Sequence, residues 1–266
     1  MKHQFSVVLV CLVFVVFSAT ASMADLSEGL LAYWPFDEGS GTVAHDMTGN
    51  GYDGTLVNGP TWTTDSKVGT GAILCDGIDG RVAIGSFDVA GGSGITLACW
   101  FFTSNLDTPG NDPRMISKAI GGANADHWFM LSSSRVGDDK VLRFRLKTDG
   151  ETGELKANTD GIIDLDVWIH AALTWDGTTM RVYKNGVEAG TLDKAGELAV
   201  DPSVNLAIGN QPDGAENRPF DGIIDDVAIW NRALSPDEIL DMMANGVAAA
   251  VKPGGKLATT WGTIKY

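Results

Sequence analysis

The sequence is poor in the residues on which most metal and nucleophilic chemistry rests. Only three cysteines and four histidines occur in 266 residues. Cys11 and His3 fall at the extreme start, which leaves Cys75, Cys99, His45, His127 and His170. None of these form a Cys-x-x-Cys, a His-Glu-x-x-His or any other zinc spacing, so the sequence offers no zinc site. Basic charge is also scarce. Nineteen Lys and Arg face thirty-four Asp and Glu, a formal net charge of −15. With the basic residues scattered singly, neither nucleic acid nor an anionic membrane is an expected partner. No phosphate loop, dinucleotide fingerprint or Asn-x-Ser/Thr acceptor is found. The glycine-rich stretch around Ser93 has Ile95 where a nucleophile elbow needs glycine. Beyond residue 24 no apolar run is long enough to span a bilayer.

What is present begins with a three-part leader. Lys2 precedes the apolar run FSVVLVCLVFVVF, and ATASMA supplies small residues for cleavage after Ala24 or Ala21. This layout reads as a secretory signal peptide over residues 1–24, too short for a membrane span. The expectation is an exported protein: secreted, periplasmic or on the cell surface. In an oxidising compartment Cys75 and Cys99 are candidates for one disulfide. Both also lie in strand-like runs (GAILCD and ITLACWFF), so two buried free thiols are the alternative.

The remainder reads as short strands with turn punctuation. LLAYWPF, RVAIGSF, GITLACWFF, WFMLSSS, KVLRFRL and VWIHAALTW are rich in β-branched and aromatic residues and bounded by Gly, Asp, Asn and Pro. Asn185-Gly186 between MRVYK and VEAGT is a tight hairpin signal. A single helix is expected near the end, with Ser235 as N-cap, Pro236 first and Glu238 completing a capping box. Ile239, Leu240 and Met243 are its expected apolar stripe and Gly246 its stop. Many strands without βα alternation predict an all-β fold, a two-sheet antiparallel jelly-roll sandwich over residues 25–248, with a short tail over 249–266.

Acidic residues are where chemistry is sought. Asp164 and Asp166 share a strand face before Trp168, but no Glu follows, and no Glu-x-Asp-x-Glu string of the sandwich glycosidases exists. No catalytic pair is expected. The stretch 220–239, FDGIIDDVAIWNRALSPDEI, holds five acids. Asp237 and Glu238 suit the positive end of the helix dipole, Asp221 a turn with Gly222, and Asp226 solvent. Alternation puts Asp225 with Val227 and Ile229 on a face that turns apolar, where an unpaired carboxylate is costly. Two acidic loops, FDEGSG with Asp37 and HDMTGNGYDG with Asp46 and Asn50, hold the oxygen ligands that calcium prefers.

The order of these pieces is itself informative. LLAYWPFDEGSG, DMTGNGYDGTL, GAILCDGIDGRV, GITLACWF, MISK, WIHAALTWDGTTMRVYKNGV and GIIDDVAIWNRALSPDEI follow one another. The series, from about Leu30 to Gly246, resembles the laminin-G-like jelly-roll domains of bacterial secreted proteins, within the concanavalin A-like lectin/glucanase class. The resemblance implies a structural calcium, with Asp37 and Asp225 as first ligands and Asp46 and Asn50 as second. It also implies a non-catalytic binding module whose partner is a glycan or a cell-surface or matrix protein. Trp62 and Trp128, which flank loops, are the expected sugar-stacking residues, and the polar loop between Thr103 and Arg114 part of the rim. Two alternatives stay open: a polysaccharide hydrolase or lyase with an unrecognised catalytic pair, and a structural protein of the envelope.

Overall fold

A computed structural model describes residues 25–90, 93–212 and 217–247. The expected signal peptide and C-terminal tail lie outside them. Two antiparallel eight-stranded sheets form the structure. The first runs, edge to edge, through β14 (Val187–Asp193), β13 (Thr179–Lys184), β12 (Trp168–Trp175), β7 (Ile95–Asn105), β16 (Asp221–Trp230), β5 (Ala72–Asp76) and β4 (Thr61–Thr63). In the same sheet β1 (Leu30–Trp34) pairs with the later half of β16. The second runs through β11 (Glu151–Lys156), β10 (Asp139–Thr148), β9 (His127–Val136), β8 (Arg114–Ala119), β15 (Asn205–Ile208), β6 (Arg81–Ser86), β3 (Gly54–Val57) and β2 (Val43–Ala44). This is the expected jelly-roll sandwich.

Period-two alternation places the core. On β7, Ile95, Leu97, Cys99 and Phe101 join Phe129, Leu131, Leu142 and Phe144 of the second sheet in one buried cluster between the layers. The outer face of the first sheet is covered by α1 (Pro236–Asn245), whose Ile239 and Met242 are buried against Tyr33, Trp230 and three alanines, Ala98, Ala172 and Ala228. Small residues on the sheet let the helix axis come close. The buried stripe thus runs through Ile239 and Met242, while Leu240 is half exposed. The capping box forms as expected: Ser235 Oγ accepts from the Glu238 amide, and a Glu238 carboxylate oxygen accepts from the Ser235 amide. Asn185 and Gly186 take φ of 51° and 80°, the two left-handed positions of a primed hairpin turn between β13 and β14.

The two cysteines are free and buried. Cys75 stands on β5 and Cys99 on β7, with β16 paired between those strands. Two strand spacings of about 4.8 Å already exceed the Cα separation a disulfide tolerates. Of the two alternatives, the structure selects the core thiols. Burial, with Asp76 and Asp221 nearby, pushes the Cys75 thiol up to about 12, and burial likewise raises Cys99.

Candidate binding site

The outer face of the second sheet carries a charged cluster outside the expected site residues. On β10, Arg143 and Arg145 alternate with the core residues Leu142, Phe144 and Leu146, so both guanidinium groups leave by the outer face. Arg145 pairs in register with Glu154 of β11 and with Met130 of β9, and Arg143 with Ser132. Arg114 opens β8 opposite Ser132. The loop into β8 returns over these strands. Its Asp107 pairs with Arg135 at 2.8 Å and with Lys140 at 3.2 Å, and the Asn111 carbonyl accepts from Lys140.

Asp112, on that loop, is the hub. Its carboxylate lies 2.5 Å from Arg143, 2.7 Å from Arg218 and 3.8 Å from Arg114. Glu154 takes Arg145 at 2.8 Å, Arg143 at 3.4 Å and Lys156 at 3.5 Å. Arg143 also donates from Nε to Ser132 Oγ. Arg114 is 1% exposed, and its Nε has no partner. Burial first, then the repulsion of Arg143, Arg218 and Arg145, overcomes the attraction of Asp112 and lowers Arg114 to about 10. Arg143 is lowered for the same leading reason. His127, buried beside Arg145 with a ring nitrogen 2.8 Å from the Ala123 carbonyl, is held down near 4 by burial and by Arg114 and Arg145. It stays neutral at physiological pH. Burial opposes ionisation of Glu154, but the hydrogen bond and charge of Arg145 outweigh it and keep its carboxyl below the usual range.

A buried guanidinium pays for desolvation with ionic hydrogen bonds. Among the described residues, each of the four arginines Arg114, Arg143, Arg145 and Arg218 lies against Asp112 or Glu154. On the loop leaving β15, Gln211 is also buried, with Nε2 on the Gly121 carbonyl and Oε1 without a partner. Fixed donors and crowded positive charge form a polar cluster on the outer face of the second sheet, with Arg145 and Arg218 its more exposed members.

The two tryptophans expected to bind sugar lie outside this arginine cluster, Trp62 on β4 of the first sheet and Trp128 on β9. Trp128 is 8% exposed, belongs to the main apolar cluster, and carries the Lys147 ammonium 4.1 Å from its ring centroid. Trp62 is half-buried against Phe36 and donates its indole N–H to the Gly41 carbonyl. The Trp128 ring is closed to a sugar, while Trp62 keeps partial exposure. Asp164 is ion-paired with Lys184 at 2.6 Å, and Asp166, at φ 61°, accepts from Ser104 Oγ in the turn before β12. They serve as local anchors.

The four calcium ligands implied by the resemblance each make hydrogen bonds of their own. One carboxylate oxygen of Asp37 accepts from the Thr70 and Gly71 amides. Asp46 is engaged by the Tyr33, Thr48 and Tyr52 amides and by Thr48 Oγ1, and Asn50 donates to the Leu31 carbonyl. Asp225 Oδ2 accepts from the Lys67 and Val68 amides, while its Oδ1 is buried without a partner. Among the described residues no three His, Cys, Asp or Glu side chains gather as a metal group. Calcium asks for six or more oxygens, and of these side chains Asp225 alone has a buried oxygen without a partner.

The surroundings of Asp225 differ from the alternation expected. Asp225 pairs with Trp100 and Ala228 with Ala98, three residues against two, so a β-bulge sits between them with Asp226 at φ 52°. The bulge leaves Ile224, Val227 and Ile229 in the core and takes Asp225 out of step with them. Asp226, expected in solvent, is 4% exposed and accepts from the Tyr33 hydroxyl at 2.5 Å. Burial raises Asp225 to about 7 against its amide donors, and Asp226 to about 6. Asp221 opens β16 and accepts from the Asn105 amide group, in place of the expected turn.

Comparison with known proteins places this architecture. The Laminin_G_3 model, of the concanavalin A-like lectin/glucanases superfamily, matches residues 76–240. The chain belongs to this family. The laminin-G-like domain is 30% identical over 215 residues to human adhesion G-protein coupled receptor D1, covering 78% of this chain but 22% of that receptor. It therefore spans less than a quarter of that relative's length. Its fold is similar to domain 4 of AbnA, an extracellular GH43 arabinanase from Geobacillus stearothermophilus, solved with arabinotriose. That likeness has a TM-score of 0.61, 21% identity, and coverage of 80% of this chain and 98% of the other. It is also similar to the receptor-binding domain of botulinum neurotoxin mosaic serotype C/D (TM-score 0.59, 12% identity, 84% of this chain, 52% of the other). Family and fold together favour a binding module. Among the described residues no helix is long and apolar enough to cross a membrane.

The arginines had a signal in the sequence. VLRFRL sets two arginines two apart within an apolar strand, which places both on one face. That they meet Arg114, twenty-nine residues earlier, is decided by pairing through β9.

Proposed function

We propose that the protein is a non-catalytic carbohydrate-binding module that takes glycan on the outer face of its second sheet. The observation that carries this is the Asp112–Arg143–Arg145–Arg114 constellation, a set of buried ionic donors on a rigid sheet rimmed by a polar loop. Hydroxyl-rich ligands are recognised by such preset donors, since an analogue lacking the hydroxyls leaves buried groups unpaired. The glycan and receptor ligands named for similar folds are consistent with it. Export with removal of residues 1–24 would bring the module to extracellular polysaccharide. No cation is required in this reading.

The test is an array of plant, bacterial and animal glycans probed with the purified protein, with a parallel assay for released reducing ends. Selective binding without release supports the proposal. A blank array from folded protein overturns it in favour of a protein partner, the direction in which the adhesion-receptor relative points. Release of reducing ends overturns the non-catalytic reading.

A further inference from the structure

The outer face of the first sheet changes character along its strands. Under α1 the outward positions are alanines, Ala98 on β7 and Ala172 on β12. Past the helix the same alternation brings out Trp100 and Phe102 on β7, and His170 and Trp168 on β12. One register row there is apolar across four strands. Leu74 of β5 faces Ile223 of β16, Ile223 faces Phe102, and Phe102 faces Trp168. Phe102 and Trp168 pack with ring centroids 5.9 Å apart, yet both are only half-buried, and Leu74 is 42% exposed. None of the four joins either buried cluster. A contiguous apolar row left open on a sheet marks a surface that something covers.

The described chain stops beside this row. Val247 is buried with α1, and a Cβ on Gly246 would meet Val68 Cγ1 at 3.6 Å. The neighbouring Lys67 holds its ammonium 4.8 Å from the Trp100 ring centroid. The backbone therefore leaves the helix at the margin of the aromatic residues. Residues 248–266, AAAVKPGGKLATTWGTIKY, follow. They carry Leu257, Trp261, Ile264 and Tyr266 with Lys252, Lys256 and Lys265 and no acid, in a chain of net charge −15. The register row next to the apolar one is acidic, with Asp76 facing Asp221. Three strand spacings make the apolar row about 14 Å wide, and residues 248–256 extended reach about 30 Å. We propose that residues 257–266 dock on this row, with Leu257 and Trp261 against Leu74, Ile223, Phe102 and Trp168 and a lysine beside Asp76 and Asp221. Tethering makes the docking intramolecular, so a modest apolar contact suffices. The proposal concerns the sheet opposite the arginine face and is independent of the glycan-binding reading.

The experiment is tryptic cleavage of the full chain after Lys256 under native conditions, followed by mass spectrometry. Cleavage of a docked segment proceeds through its undocked fraction. Leu74→Asp puts a charge into the row at an exposed position, and Trp261→Ala removes the largest docking side chain without touching the sandwich. Each is expected to speed cleavage about ten-fold or more. An unchanged rate in either folded variant overturns the proposal, and if Leu74→Asp fails to fold, Trp261→Ala decides. Position is read from a spin label on Thr263→Cys in a chain carrying Cys11→Ser, where the buried Cys75 and Cys99 stay unlabelled. The expected result is broadening of the Leu74 and Ile223 methyl signals within one molecule. Broadening only between differently labelled molecules gives the row to a second copy and overturns the proposal. No broadening leaves the row to residues 1–24 or to an outside partner and overturns it as well.

Discussion

Replacing Asp225 by asparagine removes a buried ionisable group from the first sheet while keeping the side chain's shape. Asp225 is fully buried, its Oδ2 accepts from the Lys67 and Val68 amides, and its Oδ1 has no partner. Burial lifts the folded carboxyl from 3.8 to about 7. The sign follows from linkage. Below the unfolded value the carboxyl is protonated in both states and the full stability is present. As pH rises through 4 to 7, the unfolded chain ionises while the folded one holds its proton, and stability is lost at up to about 1.4 kcal/mol per pH unit. Three units give roughly 4 kcal/mol as an upper bound at pH 8. Asparagine escapes this loss, at about 1–3 kcal/mol for an amide N–H left without an acceptor. Asp225→Asn is therefore expected to be less stable than wild type at pH 4.5 and more stable at pH 8. Urea unfolding of both proteins at several pH values, in chelator, measures it. The buried His127 and His170, lowered to about 4 and about 3, favour stability in the opposite direction over the same window, but they titrate in both proteins and cancel from the difference. A difference independent of pH would refute the argument. So would a variant less stable at pH 8, because the charged form would then be the one the fold uses. Repeating the series in calcium tells whether a cation is the user.

Two further outcomes follow from buried groups. Cys75 and Cys99 are free and separated by β16, so reductant is expected to leave the melting temperature unchanged, and a thiol reagent to label two groups only after unfolding; labelling of none in unfolded, unreduced protein from which residues 1–24 have been removed would contradict the strand order. Lys118 is fully buried and donates to the carbonyls of Phe87, Asp201 and Val204 at 2.5, 2.7 and 2.8 Å. Lys118→Met strips three buried acceptors of their donor and is expected to cost about 2–5 kcal/mol in urea unfolding; a loss below 1 kcal/mol would show that water replaces the ammonium.

Local chemistry wrote much of this molecule into the sequence. The strands around Leu97, Leu142 and Leu173, the Asn185-Gly186 hairpin and the Ser235 cap rest on interactions between residues close in the chain, whose periods and turn preferences are readable one segment at a time. The family resemblance, which sums such segments in order, was legible for the same reason. The site was not. Whether Trp128 opens to solvent or enters the core depends on what the opposing layer brings, and Lys147 and the core close over it. The bulge at Asp226 interrupts the alternation that otherwise predicts faces, so Asp225 left the apolar row and Asp226 entered a buried bond with Tyr33, 193 residues away. Arg143 and Arg145 announce a shared face, but only the order β11-β10-β9-β8 and the returning loop bring Glu154, Arg114 and Asp112 to them. Strand identity is set by neighbours along the chain. A binding face is set by which strands and loops lie side by side, and that depends on long-range pairing and burial.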